Sequence, residues 1–369
     1  MNDRAVQSLR WKVFALSALQ SIGPVALAIG LGLGIAGALV ALLGASPAEF
    51  FEKLFQGTLG SNYGLSQVLF KATPLIFCGL AVALAFQARL FNIGAEGQMV
   101  MGGIAMAWAG ASVTSLPFPL GVVAALAAGA LAGAVWGAIP GLLKARTGAH
   151  EVIVTIMLNF IAFALANFLL ARYLALPETV RTAEVASGAV LPRFSDWSEA
   201  LRGSPLNFAF VLAVVAALAL ELWSARTPIG FSLRVLGEGP KQARYAGLPL
   251  ARLTVFAMTV SGALAALASS NFILGYKHYY EEGFSAGAGF QGIAVALLAR
   301  NRPLWIVPSA IFFGLLSYGG LVVNSIVPRE LIDLVEAVIL LLFIVFDRAM
   351  RSLPDRLLVM KARPTAEGA

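Results

Sequence analysis

Ten apolar stretches, most of them close to the length of a membrane-crossing helix, dominate the chain. A helix needs about 20 apolar residues to cross the hydrocarbon layer. The stretches are Val13–Leu43 in part, Val68–Phe86, Gln98–Leu116, Leu120–Leu143, Val152–Leu174, Phe208–Trp223, Leu253–Ile273, Gly289–Leu298, Leu304–Val323 and Leu331–Phe346. Of the 369 residues 59% are apolar and 12% are charged, against roughly 25% charged in soluble domains. Such a chain cannot coat itself with polar surface, whereas a lipid-facing one has no need to. The expected fold is all-α and polytopic, with about ten transmembrane elements, some of them broken or half helices. Gly289–Leu298 is too short to cross as one regular helix and is expected to begin inside the membrane.

The expected layout is a cytoplasmic N-terminus over 1–12, a transmembrane domain over 13–347 and a cytoplasmic tail over 348–369. Arg4, Arg10 and Lys12 precede the apolar run Ile22–Leu43. That run is longer than a signal-peptide core of roughly 7–15 residues, so it is expected to stay as the first span. With the N-terminus inside, eighteen of the 26 Lys and Arg fall on the cytoplasmic side, among them Arg89, Lys144, Arg226, Arg244, Arg300 and Arg348. This bias places both termini in the cytoplasm. Residues 177–205 then form an extracytoplasmic loop and 224–252 a cytoplasmic one. Lys71, near the outer end of the second span, is expected to reach the interface along its own stem.

The net charge of +7 sits in the hinges between spans, so nucleic acid is not an expected partner. Cys78 is the one cysteine, so neither a disulfide within the chain nor a cysteine metal site can form, and His150 and His278 are far apart. Gly32–Gly37 matches GxGxxG by spacing, but no strand precedes it and it lies in an apolar span, which excludes a dinucleotide site. No metal and no cofactor is expected on the chain.

Glycines mark the packing faces. Gly129, Gly133, Gly137 and Gly141 recur every four residues on one face of the fourth span, where small residues allow close helix approach. Gly30 and Gly34 are expected to do the same in the first span.

Four segments depart from the apolar pattern. Phe91–Gln98 sets Glu96 between Gly94 and Gly97, with Asn92 and Gln98 close by. It reads as unwound backbone lining a cavity at membrane depth, with an ionisable group as a functional candidate. The plainer alternative is a cytoplasmic turn with a solvated Glu96. His150-Glu151 opens the fifth span, where Glu151 favours the helix N-terminus. Asn159, about two turns deeper, reads either as an interhelical hydrogen bond or as a path-lining group. Gly283–Phe290 leads into the short eighth element, whose N-terminus and Gln291 suit a ligand with carbonyl or hydroxyl groups. Tyr276, Tyr279, Tyr280 and Phe284 nearby read as an interfacial aromatic belt or as rings that stack on a ligand. Finally, Gly237–Leu248 predicts a short cytoplasmic helix begun by Pro240 and ended by Gly247. Ala243, Ala246 and Gly247 suit docking against protein more than lipid.

Ala72-Thr73-Pro74-Leu75, Phe91–Gln98, His150–Asn159 and Gly237–Gly247, in that order, resemble the permeases of bacterial ABC importers for simple sugars, nucleosides and branched-chain amino acids. FNIGAEGQ and HEVIVTIMLN look most like the nucleoside-type branch, and the resemblance runs from about Lys71 to Phe346. The Lys241-Gln242 pair stands where small residues are more usual. The resemblance implies a multi-pass protein of the bacterial inner membrane that forms a translocation path for a small polar solute. The candidate path residues, from the broken segments themselves, are Asn92, Glu96, Gln98, Asn159 and Gln291. The resemblance also implies ATPase coupling through Gly237, Glu238, Pro240, Arg244, Tyr245, Ala246 and Gly247. The implied partners are cytoplasmic ATPase subunits carrying the ATP, a second permease chain, usually a different one in this family, an extracytoplasmic substrate-binding protein and membrane lipid. The sequence holds no GxxxxGK[ST], so it has no phosphate-binding loop of that type and no expected enzyme activity of its own.

Two other classes compete. An ion-coupled transporter needs intramembrane acids, for which Glu96, Asp333 and Glu336 are the candidates. A membrane enzyme needs converging catalytic groups, which the sequence does not display.

Overall fold

The computed structural model describes the backbone of residues 3–362 and the side chains of residues 23–350. Its helices, in order, are α1 (Asp3–Leu42), α2 (Pro47–Leu59), α3 (Asn62–Gln87), α4 (Ala95–Ser112), α5 (Leu120–Thr147), α6 (Glu151–Leu169), α7 (Ala209–Arg226), α8 (Pro228–Glu238), α9 (Pro240–Tyr245), α10 (Leu250–Leu267), α11 (Ser270–Ile273), α12 (Ala288–Leu298), α13 (Pro303–Val323) and α14 (Glu330–Ala362). A π-helical turn, Leu170–Leu174, prolongs α6. All ten expected elements are helices. Among the described residues, seven helices are both long enough and apolar enough to cross a membrane, and α12 is a shorter apolar one. α4 falls short because it opens on Glu96 and Gln98, and α14 because Glu330, Asp333 and Glu336 crowd its start. α2 was not expected. It is amphipathic, with Phe50 and Leu54 buried and Phe55 and Leu59 exposed.

The described chain divides into two compact units, one holding the residues up to Phe55 and those from Gly319 on, the other Gln56–Tyr318. In the first, α1 packs along α14, and Gly32 leaves room for the Ile339 side chain. Gly37, also on α1, faces Phe51 of α2. The expected packing face at Gly30 and Gly34 is not used in this chain: a methyl group at either position would meet nothing within 4 Å among the described residues.

The second unit is built around α3, in which every residue from Ala72 to Ala85 is buried. α7, α10 and α12 surround it. Ser61 caps its start by accepting from the Gly64 amide at 2.9 Å. Pro74 inside α3 cannot donate, which leaves the Phe70 carbonyl without its helical partner. Asn271, between α10 and α12 in sequence, donates to that carbonyl at 3.1 Å.

The glycine face on α5 is used as expected. Side chains at Gly133 or Gly137 would strike the α10 backbone at Gly262 or Met258, and one at Gly129 would meet Met106 on α4. Backbones this close gain dispersion contacts that larger residues would prevent.

The extracytoplasmic loop expected over 177–205 is folded. Its backbone runs along residues 274–281, with Thr182 N to Tyr280 O at 3.0 Å, Val185 N to His278 O at 2.8 Å and Leu191 N to Leu274 O at 2.9 Å. Within it Val185, Ala189 and Leu191 are buried. α8 begins at Pro228 under the Thr227 hydroxyl, which accepts from Gly230 N at 3.1 Å.

Candidate functional site: the paired helix breaks

Two helices begin beside the middle of their neighbours. α4 starts after the break at Phe91–Gly94, and α12 starts at Ala288, with Gly292 packed on Cys78 well inside α3. Helix starts leave amides without intrahelical partners, and burial makes each one costly unless it is paired. The polar residues of the break satisfy them.

Asn92 is fully buried. Its Oδ1 accepts from Gly94 N at 3.0 Å and from Gln98 Nε2 at 3.2 Å. Its Nδ2 donates to Gln98 Oε1 at 2.8 Å and to the Ser261 hydroxyl of α10 at 2.7 Å. Ser261 in turn donates to the Ala81 carbonyl of α3 at 2.6 Å. One amide pair therefore ties the start of α4 to α10 and, through Ser261, to α3.

Asn159 on α6 stands on the other side of α4. Its Oδ1 accepts from Gly97 N at 2.9 Å and its Nδ2 donates to Ile93 O at 3.0 Å. Of the two readings open for it, the structure shows the interhelical hydrogen bond. Gly97 is required because a side chain there would run into the Asn159 backbone and Ala162.

Glu96 is 3% exposed, which removes the reading of a solvated turn. Its Oε1 accepts from the Ser285 hydroxyl at 2.5 Å and from Gly287 N at 3.1 Å, and its Oε2 from Gly289 N at 2.6 Å. The carboxylate therefore lies on the N-terminus of α12, where the helix dipole favours negative charge. Gly289 is needed because any side chain there would collide with the Glu96 backbone. Gln291, half-buried one turn along α12, donates its backbone N–H to Gly287 O at 3.0 Å.

Glu151 is buried at the start of α6 and pairs with Lys144 of α5 at 2.5 Å. It closes the α5–α6 turn as well as favouring its own helix start.

The aromatic residues near α12 pack on one another. Phe70 meets Phe272 and Tyr276 edge to face at 5.4 and 5.2 Å, and Phe284 meets Phe272 and Tyr280 at 5.9 and 5.2 Å. Phe70, Tyr280 and Phe284 are buried, so they form a core cluster. Tyr276, 39% exposed, is its open edge.

Beside this cluster, Arg193 donates to the Gly275 carbonyl at 3.0 Å, to the Tyr276 carbonyl and to His278 Nε2 at 2.9 Å. His278 Nδ1 lies 3.1 Å from the Leu274 carbonyl, so the ring hydrogen belongs on Nδ1. Burial first, and the Arg193 charge second, hold the imidazole below the ordinary histidine range.

At the opposite end of α10, α9 runs from Pro240 to Tyr245, and Gly247 follows at φ +71°. Glu238, Pro240, Arg244, Tyr245, Ala246 and Gly247 are exposed, Tyr245 to 92%. Two small residues are placed otherwise. Ala243 is fully buried and does not face outward, because it holds α9 to the helices behind it. Gly237 is buried with its Cα on the Gln87 carbonyl at the end of α3.

Sequence reasoning missed Ser261, Asn271, Ser285 and Asn207. Asn207 is buried and donates to Asn271 Oδ1 at 3.2 Å. Each is a polar residue within or beside an apolar run, and that is the signal that could have found them.

Residues 64–346 match the family described as branched-chain amino acid transport system / permease component. The chain is 37% identical over 342 residues to the guanosine ABC transporter permease protein NupP of Bacillus subtilis, covering 90% of this chain and 95% of that one. It is 32% identical to the nucleoside ABC transporter permease protein NupB of Lactococcus lactis subsp. cremoris, covering 82% and 85%. It is also 32% identical to a glucose ABC transporter permease protein of Haloferax volcanii, covering 85% and 84%.

Proposed function

This chain belongs to the branched-chain amino acid transport system / permease component family, and from that premise we propose that it forms the inward path for a nucleoside across a bacterial inner membrane. It is the multi-pass permease component of an ABC transporter. The observation that carries the nucleoside is the similarity to the guanosine permease along 90% of the chain. A sugar is the second reading, favoured by the similarity to the glucose permease.

In this reading both termini are cytoplasmic and the exposed tip of α9 docks on an ATPase subunit. Glu238, Pro240, Arg244, Tyr245, Ala246 and Gly247 make the contact, and buried Gly237 sets the angle at which α8 leaves α3. ATP is bound by those partner subunits and no cofactor by this chain. A second permease chain completes the path, and an extracytoplasmic binding protein delivers the solute over the folded 177–205 loop. Asn92, Glu96, Gln98 and Asn159 serve the path by holding its two broken helices, with Gln291 beside them on α12. Closure of the ATPases moves α9, and the helices rock about these breaks.

The test is ATP-dependent uptake of labelled nucleosides in cells lacking the gene and in complemented cells, with unlabelled sugars and branched-chain amino acids as competitors. Loss of nucleoside uptake, restored by the gene and indifferent to those competitors, supports the proposal. Loss of sugar uptake instead moves the solute to the second reading.

A further inference from the structure

Residues 281–287 form a short strap between two fixed points. At one end Tyr280 is tied to Thr182 through backbone and hydroxyl, with Tyr280 N to Thr182 Oγ1 at 3.0 Å. At the other end α12 begins. Within the strap Gly283, Ala286 and Gly287 take φ of +75°, +46° and +80°. The glycines adopt this freely, but Ala286 does not, because its Cβ crowds the backbone in the left-handed region. Such a conformation persists only where the surroundings enforce it. The enforcing contact is Glu96, whose carboxylate takes the Ser285 hydroxyl and the Gly287 amide on either side of Ala286. Phe284 is thereby held inward against α4. A side chain at Gly103 would strike its ring and Ile273 beside it.

We propose that Glu96 is a positioning residue for transport: its carboxylate latches the Gly283–Gly287 strap shut, and with it the Phe284 ring that closes the path on the side away from α9. The placement follows from α10, which starts next to α9 and ends at α11, where Ile273 and then the strap follow. The latch joins the two half-helix starts, so any rocking of α12 against α4 strains the three hydrogen bonds on Glu96 together. Strain held in Ala286 favours release once they lengthen. This inference rests on the path assigned above to the two broken helices and is independent of which solute passes.

The experiment reads closure directly, in membranes of cells producing the full chain with its partners. Ile273→Cys in a Cys78→Ala background places one thiol beneath Phe284. A membrane-impermeant cationic thiosulfonate is added from outside. Glu96→Gln and, more gently, Ser285→Ala should raise the labelling rate about tenfold, the equivalent of one lost hydrogen bond. Ala125→Cys, equally buried on α5, should label at an unchanged slow rate in the same variants. Equal labelling of Ile273→Cys with and without the latch overturns the proposal. So does a rise at both thiols, which marks general loosening. Neither outcome depends on nucleoside uptake, so a wrong solute and a wrong latch are told apart.

Discussion

The side chain of Asn159 sits between the Ile93 carbonyl and the Gly97 amide, bonded to both at 3.0 and 2.9 Å. Those two groups are four residues apart, the spacing of partners in an α-helix. An amide from another helix thus takes the place of the missing intrahelical bond and lets α4 begin inside the protein.

Asn159→Ala leaves both groups buried and unpaired, at a cost of about 1–3 kcal/mol each. The purified protein should melt several degrees lower, with membrane insertion unaffected. An unchanged melting temperature would show that water replaces the amide.

Asn271 and Pro74 should be energetically coupled. Pro74→Ala restores an amide at position 74 for the Phe70 carbonyl, so Asn271→Ala should cost about 1 kcal/mol less in that background. The measurement is a double-mutant cycle in thermal or denaturant unfolding, and additive effects would contradict it. The residual cost of Asn271→Ala reflects its contact with Asn207.

Gly137→Val should abolish folded protein, because the added side chain meets the Met258 carbonyl and Gly262 on α10. Gly30→Ala, with open space at the added methyl, should leave the chain folded and raise its stability by about 0.5–1 kcal/mol. Monodispersity in detergent separates the two. Equal tolerance of both would mean that α5 and α10 do not approach as closely as described.

His278 makes the segment packed against the 177–205 loop acid-sensitive. Its pKa in the folded chain is depressed by burial and by Arg193, against which Glu184, Asp196 and the Leu274 carbonyl act in the other direction. The unfolded chain, with an ordinary pKa of about 6.5, therefore binds the proton first as pH falls. The stability is intact above that value and declines as pH drops from it through the depressed one. The melting temperature should fall between pH 7.5 and 5.5, and His278→Asn should flatten that fall. Asn is the suitable replacement because it tolerates the φ of +64° at this position.

Tyr245→Ala should cut ATP-dependent uptake at least about tenfold without changing the level of the chain in the membrane. A large exposed aromatic at the tip of a short surface helix is a typical interface anchor. Gly247→Glu should act in the same direction, through both the added charge and the φ of +71° that only glycine takes easily. Uptake at the wild-type level in both variants would remove α9 from the coupling surface.

The ten apolar stretches were legible in the sequence because the length and apolarity of a crossing helix are properties of contiguous residues. The same holds for the break at Phe91–Gln98 and for the short helix between Pro240 and Gly247. Pattern alone did not tell which glycine face is used. Gly129–Gly141 and Gly30-Gly34 share one spacing, yet among the described residues only the first meets another backbone. Nor did it tell that Ala243 turns inward or that Tyr280 and Phe284 form a core. Tertiary structure alone decided the partners of the buried polar groups. Glu96 meets Ser285 and Asn271 meets Phe70, 189 and 201 residues apart in sequence. The physical reason is that a nonpolar interior demands a partner for every polar group but leaves its identity to the way the helices pack.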